Sequence, residues 1–259
     1  MSRYVEDFAA LADAVNSGGL VEIGEAEILV EESLDLPSNL WLRGQGGNSV
    51  LRQAAPDQQM LMASGVWGIM LSDFSIRGSS GEAPNGLGAI RLGPKSDKGV
   101  SECAVERVSI SGVGCCGVVI SSKSYYCHVR SCNIFGAGEE GIYMNGAECS
   151  VVHSRISFCT EAGVKSGGTD CLVQGNVLLH NNQFGVLISP RGVRGLTTGN
   201  IARGSGFEGL RVNDAHDHML TNNYVTASGQ ADPKRKDIRV SGPGHVVEGN
   251  VGEVRYEQA

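Results

Sequence analysis

Hydrophobic and polar positions in this chain alternate over runs of three to five residues, and the runs recur at a nearly fixed interval. Cys103, Cys127, Cys149 and Cys171 are separated by 24, 22 and 22 residues, and each opens a similar segment: CAVERVSI, CHVRSCNIF, CSVVHSRIS, CLVQGNVLL. The frame continues without cysteine at Gly195, His218 and His245. A second run follows a glycine: Gly117-Val-Val-Ile, Gly141-Ile-Tyr-Met, Gly163-Val-Lys-Ser, Gly185-Val-Leu-Ile and Gly209-Leu-Arg-Val. Related copies begin at Ala89 and Asp237. A third begins at a turn asparagine, at Asn133, Asn176, Asn200, Asn223 and Asn250. Runs this short, with period two and glycine or asparagine turns, are strands rather than amphipathic helices. A repeat of about 22 residues with three strands in each predicts a three-sheet parallel β-solenoid, all-β, of about eight coils.

The N-terminus reads differently. Tyr4 to Val15 carries apolar residues at helical spacing, Val5, Phe8, Leu11 and Val15, and ends near Gly18-Gly19. The expectation is a capping helix over residues 1–20 and one solenoid domain over 21–259. Few aromatics and 37 glycines suit tight coils with a narrow interior. No apolar run is long enough to span a bilayer, and MSRYVEDF lacks the form of a signal peptide. With free thiols this favours a cytoplasmic setting, or a secreted one if a leader was removed. The periodic cysteines should face inward as a stacked ladder of reduced thiols, with Cys115, Cys116, Cys132 and Cys159 off the ladder. They show no zinc spacing. The asparagines should stack into an amide ladder, preceded at Gly175, Gly199 and Gly249 by a residue of positive φ.

Function must come from outward side chains. Carrying the alternation of Gly141-Ile-Tyr-Met through every coil gives one outward column: Arg91, Val119, Tyr143, Lys165, Leu187, Arg211, Arg239. Its neighbour is Gly93, Ser121, Asn145, Gly167, Ser189, Asn213, Ser241. The first column holds four cations and no carboxylate, in a chain of formal net charge -7. A cation row of this kind calls for counter-charge, and an anionic ligand along the strand face would supply it. Glu139, Glu140 and Glu161 flank the rim in the loops before the glycine-led strands, where a carboxylate beside Lys165 is either a general base or a salt-bridge partner. His180 ends a third-type strand and should project to the same rim. Asn213-Asp-Ala-His-Asp-His218 has the look of a metal motif, but His218 falls on the inward register. The loop Asp232 to Asp237 is a basic excursion. Nucleic acid is disfavoured by the acidic total and the lack of interleaved aromatics.

The succession of turn asparagine, loop, glycine-led strand and second strand over about residues 60–251 resembles the right-handed parallel β-helix repeats of the pectin-lyase-like superfamily. The helix followed by LVEIGEAEILVEESLDLPSNLWLRGQG is similar to its capped first coil. The resemblance implies that the helix plugs the open end, and that the glycine-led face with its loops forms a substrate groove, as in polysaccharide lyases, hydrolases and C-5 epimerases. The aspartates that hold calcium in pectate lyases, and those that serve polygalacturonases, are absent from the column. GLRVNDAHDHMLTNNYV resembles alginate epimerase modules, although the Tyr-x-x-Asp-Pro-His-Glu type motif of many of them is not present. The resemblance therefore implies metal-independent lyase or epimerase chemistry on a uronate-type saccharide, with no cofactor. Lys165 or Arg211 would neutralise the substrate carboxylate, and Tyr143 or His180 would move the proton. Arg91, Asn145, Glu161, Asn213 and Arg239 would bind substrate. Two other classes stay open. One is an isomerase or cyclase of a small anionic metabolite. The other is a non-catalytic carbohydrate-binding or phage-tail-like solenoid, which an exposed apolar face parallel to the axis would favour. A monomer is the first expectation, with a dimer or trimer as alternatives.

Overall fold

Left-handed corner residues, three per coil from Glu102 to Ala227, bend this chain into a parallel β-helix. The computed structural model describes residues 3–79, 81, 83–84, 86–93, 98–229 and 235–257. About nine coils stack into three long parallel sheets of eleven, ten and nine strands. The first sheet runs through Ala104–Glu106, His128–Arg130, Ser150–Val152 and Leu172–Gln174. The second runs through Ser109–Ser111, Asn133–Phe135, Arg155–Ser157 and Val177–Leu179. The third is glycine-led and contains Cys116–Ile120, Ile142–Met144, Ala162–Ser166, Phe184–Ile188 and Leu210–Val212.

The helix is shorter than the apolar stripe suggests. Residues Arg3–Val5 form a strand paired in parallel with Val21–Ile23, and the helix spans Phe8–Ser17. Asp7 is its N-cap and accepts the Ala10 N–H at 2.8 Å; Gly18 ends it at φ 66°. Val5 therefore reaches the core from a strand, while Leu11, Ala14 and Val15 reach it from the helix. The helix packs on the first coil, as a cap would.

All eight cysteines are free and buried. In the ladder each thiol donates to the turn carbonyl two residues back: Cys103 to Ser101, Cys127 to Tyr125, Cys149 to Ala147 and Cys171 to Thr169, at 3.2–3.5 Å. A small, polarisable side chain with one weak donor fits a corner that is apolar except for one exposed lone pair. Off the ladder, burial pushes the Cys132 thiol up to about 11 and the Cys159 thiol to about 12. At the C-terminal end the register passes through Gly195 to His218, whose ring lies in the space that a Gly195 side chain would need. His218 is 1% exposed and both its ring nitrogens lack partners, so burial holds it below the ordinary imidazole range. His216 and Asp217 are exposed.

The asparagine ladder forms, with one correction. Asn176, Asn200, Asn223 and Asn250 stack: each Oδ1 accepts a backbone N–H from the preceding coil at 2.9–3.0 Å. Each Nδ2 donates to a carbonyl of that preceding coil, and between neighbouring asparagines to the next Oδ1. Asn133 is not a member. It is exposed, one residue past the corner, and the rungs before Asn176 are Cys132 and Ser154. The preceding residue is left-handed whether or not it is glycine: φ is 63° at Gly175, Gly199 and Gly249, and 50° at His153. A single left-handed residue costs about 1–2 kcal/mol when it carries a side chain, so the stack must hold it in place.

Two core substitutions separate these ladders. Cys149→Ala should cost about 1–2 kcal/mol, a small cavity with no orphaned amide. Asn200→Ala removes the acceptor of two Asn176 donors and the donor that Asn223 Oδ1 accepts from, and should cost on the order of 3 kcal/mol. Urea unfolding of both variants measures the difference; equal losses would mean that the amide ladder adds nothing beyond packing.

Candidate functional site

The outward column of the third sheet is observed in the expected register. Arg91 pairs Val119, Val119 pairs Tyr143, Tyr143 pairs Lys165, Lys165 pairs Leu187, Leu187 pairs Arg211 and Arg211 pairs Arg239. It continues to Asp35 through Met62 at one end and to Arg255 at the other. In the neighbouring column Asn145 and Ser189 close over Gly167, where a side chain would clash with both. Asn213 accepts from Arg211 at 3.2 Å. Ser241 departs from the column: it is buried and donates to the Val212 carbonyl.

Counter-charge for the column comes from the protein itself. The loops before the glycine-led strands carry glutamates that turn inward beneath the cations. Glu140, with a side chain 5% exposed, meets the Lys165 Nζ at 2.6 Å. Glu208, wholly buried, meets Arg211 at 3.5 Å, Arg239 at 3.3 Å and Arg235 at 3.0 Å. Arg239 also pairs with Glu257. Arg91 donates to the carbonyls of Gly86 and Gly93 and to Gln59. The sign inversion along the strand face thus does not by itself require an external anion.

Around Lys165 the geometry is richer than one ion pair. Glu139 and Glu140 both reach the Cys116 thiol, at 3.0 and 3.4 Å, and Glu139 also accepts the Gly86 N–H at 2.9 Å. Glu161 lies against Glu140. Burial alone would raise Glu140, but the Lys165 ammonium overrides it and holds the carboxyl below its ordinary range. Glu161 has the opposite fate: burial and the charge of Glu140 push it up. One member of the pair is therefore kept ionised and the other is inclined to hold a proton. Lys165 Nζ sits 5.1 Å from the Tyr143 ring centroid, fixing the phenol beside the pair. A cavity of about 390 Å³ is reached by Glu139 and Glu161 but not by Lys165, Glu140 or Tyr143; Gly114, Gly138 and Thr160 are also in its lining.

Cys116, Glu139 and Glu140 bring their ligand atoms within 4.8 Å of one another, a set that could in principle hold a metal ion. Lys165 already supplies the positive charge there, and burial keeps the Cys116 thiol protonated. This donor set suits an ammonium better than a divalent cation.

His180 is placed elsewhere. It is a left-handed corner residue at φ 52°, stacked on Phe158 with ring centroids 5.3 Å apart, and its ring covers Gly204. Tyr143, Lys165, Glu140 and Glu161 come together; Arg211, Arg239 and Asn213 form a second group with Glu208, Arg235 and Phe207. The loop 204–208 is one of the candidate loops before the glycine-led strands, but the sequence singled out neither Glu208 nor Phe207 within it. The signal was available: Glu140 and Glu208 occupy the same place, one residue before Gly141 and Gly209. Part of the loop Asp232 to Asp237 lies outside the described residues; Arg235 and Lys236 within it are ion-paired.

Strand register and ion pairs together define a parallel β-helix with a charged lateral face. The chain belongs to the right handed beta helix region family, whose model matches residues 96–249, and is a right-handed β-helix of the pectin-lyase-like superfamily. It is similar in structure to the A-module of a mannuronan C-5 epimerase from Azotobacter vinelandii, with a TM-score of 0.73 and 15% identity over 98% of this chain and 84% of that one. A surface adhesin of Streptococcus pneumoniae gives 0.71 and 13% over 98% and 78%. A tailspike protein of an Escherichia coli bacteriophage gives 0.65 and 14%, over 95% of this chain but 36% of the tailspike. At such identities the likeness is one of fold. No curated protein sequence matches the chain. No helix among the described residues is long and apolar enough to cross a membrane.

Lys165→Ala tests the ion pair. It leaves Glu140 buried without its cation, so Glu140 should move from below to above its ordinary range. The wild-type pair stabilises the fold above the unfolded carboxyl value and loses that contribution as pH falls through the lowered one. The variant should therefore be about 1–3 kcal/mol less stable near pH 7, a figure scaled down from fully buried pairs because Lys165 is partly exposed. The deficit should shrink below about pH 4, where Glu140 is protonated anyway. Denaturant melts at both pH values measure it; a deficit independent of pH would mean the pair carries no such coupling.

Proposed function

We propose that the protein is a metal-independent enzyme acting on an acidic, uronate-type saccharide by proton transfer, in the lyase or epimerase class. The observation that carries this reading is the carboxylate pair Glu140–Glu161, split by Lys165, with Tyr143 beside the lysine and Glu161 on the wall of a cavity. Groups whose environments push their proton affinities apart are what acid–base catalysis needs. The chemistry begins at the carbon next to the sugar carboxylate. Removing its proton leaves negative charge on the carboxylate oxygens, and a nearby ammonium lowers the cost of that charge. Lys165 would supply it on the strand face, while Glu140 keeps the lysine protonated. Tyr143, acting as the phenolate after losing its own proton to solvent, is the candidate to take the proton. Glu161 would deliver one, either to the leaving glycosidic oxygen for elimination or to the opposite face of the carbon for epimerisation. The similarity of fold to an epimerase module is consistent with this reading.

The test is turnover on a panel of uronate polymers, read by ultraviolet absorbance for unsaturated ends and by NMR for epimerisation. With an active substrate in hand, Tyr143→Phe and Glu161→Gln should each lower kcat by about 10²–10⁴ and leave KM nearly unchanged. Activity should fall as pH rises through the elevated value of Glu161, where its proton is lost. Full activity in both variants would remove this centre from the chemistry.

A second reading is a laterally packed, non-catalytic solenoid. It is favoured by one observation: Ile201, Tyr224 and Val251 on the second sheet and Met219 and Val246 on the first are exposed in columns on either side of the asparagine corner. Such a face lies parallel to the axis. On the enzyme reading, light scattering should return a monomer that Tyr224→Lys leaves unaltered. A trimer dissolved by Tyr224→Lys would favour the second reading.

A further inference from the structure

One rung of the inward ladder carries a side chain with nothing to bond to. At Cys103, Cys127, Cys149 and Cys171 the thiol meets a turn carbonyl, but at His218 both imidazole nitrogens are buried without a hydrogen-bond partner. The ring fits because the rung before it is Gly195, whose side-chain position lies 2.7 Å from Nδ1, and because Gly192 leaves room beside Nε2, at 3.0 Å. A buried imidazole with unpaired nitrogens is a standing cost to the fold that a thiol bonded to its turn carbonyl does not incur. Its charged form, buried and unpaired, costs far more.

The following coil supplies a second imidazole. The His245 ring centroid lies 6.1 Å from that of His218, and His245 Nδ1 accepts the His218 backbone N–H at 3.1 Å. Nδ1 therefore carries no proton, and Nε2, 3.2 Å from the Ser241 carbonyl, is the donor. An imidazolium has no acceptor, so charging His245 breaks the bond that ties the two rungs together. The preceding coil brings the carbonyls of Gly192 and Gly195, which already accept the His216 and Met219 N–H groups at 3.2 and 2.9 Å. Its Arg194 is paired with Asp170 at 2.7 Å. His216 and Asp217 flank the rung and are exposed. Down the ladder the next titratable group is the Cys171 thiol, which burial keeps protonated. For His218 burial outweighs Asp217 and the two carbonyls, all of which favour the charged ring.

The two histidines sit toward the less buried end of the stack, where Val246, Val251, Val254 and Tyr256 are all exposed. Each coil contacts only its neighbours, so opening at one rung frees every coil beyond it. We propose that His218 and His245 form an acid-sensitive latch that holds the C-terminal coils, from Met219 onward, on the stack. With both rings neutral the corner is closed. On protonation His218 becomes a buried charge without a partner and His245 releases the His218 N–H. The coils beyond then detach and bare the strand edges of Leu196–Thr198, Ile201–Arg203 and Leu210–Val212. The opened coils take up protons at the ordinary imidazole value, about 6.5, which the closed His218 site resists. The latch is therefore at full strength above about pH 7.5 and weakens as pH falls through about 6.5. It is separate from the Lys165 centre and acts whether or not that centre is catalytic.

Hydrogen–deuterium exchange of the full chain between about pH 7.5 and 5.5 tests the latch, within a window where ordinary carboxylates stay ionised. Each rate is corrected for intrinsic exchange. Opening is read at Met219–Thr221, Tyr224–Thr226 and Val246–Glu248, with His128–Arg130 and Ser150–Val152 as the internal reference. Relative to that reference, protection of the C-terminal strands should fall by about ten-fold per pH unit below about 6.5 for one proton taken up, and by up to about a hundred-fold for two. His218→Cys, which restores the residue of the earlier rungs, should reduce the fall to the His245 share. Adding His245→Asn should abolish it. Because each variant is compared with itself across pH, a change in its baseline stability does not enter. Should His218→Cys fail to fold, nitrogen-15 NMR of the histidine rings in the wild type and His245→Asn takes its place. It should show His245 protonated on Nε2 at about pH 7.5, and His218 neutral for as long as the C-terminal amides stay protected. Relative protection that is constant across the window would overturn the proposal. So would a fall of unchanged size in the double variant, or a His218 ring that titrates at the ordinary value while those amides remain protected.

Discussion

Every coil of this protein satisfies its backbone through the coils on either side, and that single constraint organises everything else. A parallel strand has no partner within its own coil, so its N–H and C=O groups pair only if the next coil repeats at the same register. A slip of one residue would send each buried column to solvent. The register is therefore held at the corners. The thiol ladder closes one corner with side chains that need a single carbonyl. The asparagine ladder closes another with side chains that reproduce the backbone pattern one level out. Both kinds of corner contain a left-handed residue, often without glycine, and the stack is what holds it in that conformation.

The same constraint builds the candidate site. Strand alternation makes residues on successive coils neighbours at one strand spacing, which puts Tyr143 beside Lys165 without any long-range design. The loops before the strands are free of the ladder, and there the chain places Glu140 and Glu208 beneath the cations. Each buries a charge, which is tolerable only with a partner in place. The carboxylate pair Glu140–Glu161 follows from this arrangement: one oxygen pair is claimed by an ammonium, and the neighbour must then avoid a second negative charge.

Much of the architecture was legible in the sequence, because period-two burial within a 22-residue repeat has one solution. The outward column emerged in the correct order for the same reason. The errors have physical causes too. Asn133 drew attention as an asparagine, yet five residues on from Cys127 the corner falls at Cys132, as it falls at Asn176 from Cys171. The helix looked longer because Val5 suits both a helical stripe and an inward strand position; Asp7, a capping side chain, marks the true start. The cation row looked unpaired because its counter-charges lie in loops, where alternation says nothing about direction. His180 looked like a rim residue because a strand end says nothing about a left-handed corner, which turns the ring onto Phe158.

The centre of this account is that Lys165 splits the Glu140–Glu161 pair. Side-chain carboxyl NMR of selectively carbon-13-labelled glutamate, titrated with pH and assigned with Glu140→Gln and Glu161→Gln, observes this without a substrate. The account predicts two separated steps, one below the ordinary glutamate range and one above it, with the upper step returning toward the ordinary range in Glu140→Gln. Two coincident steps in the ordinary range, unchanged by either substitution, would contradict it.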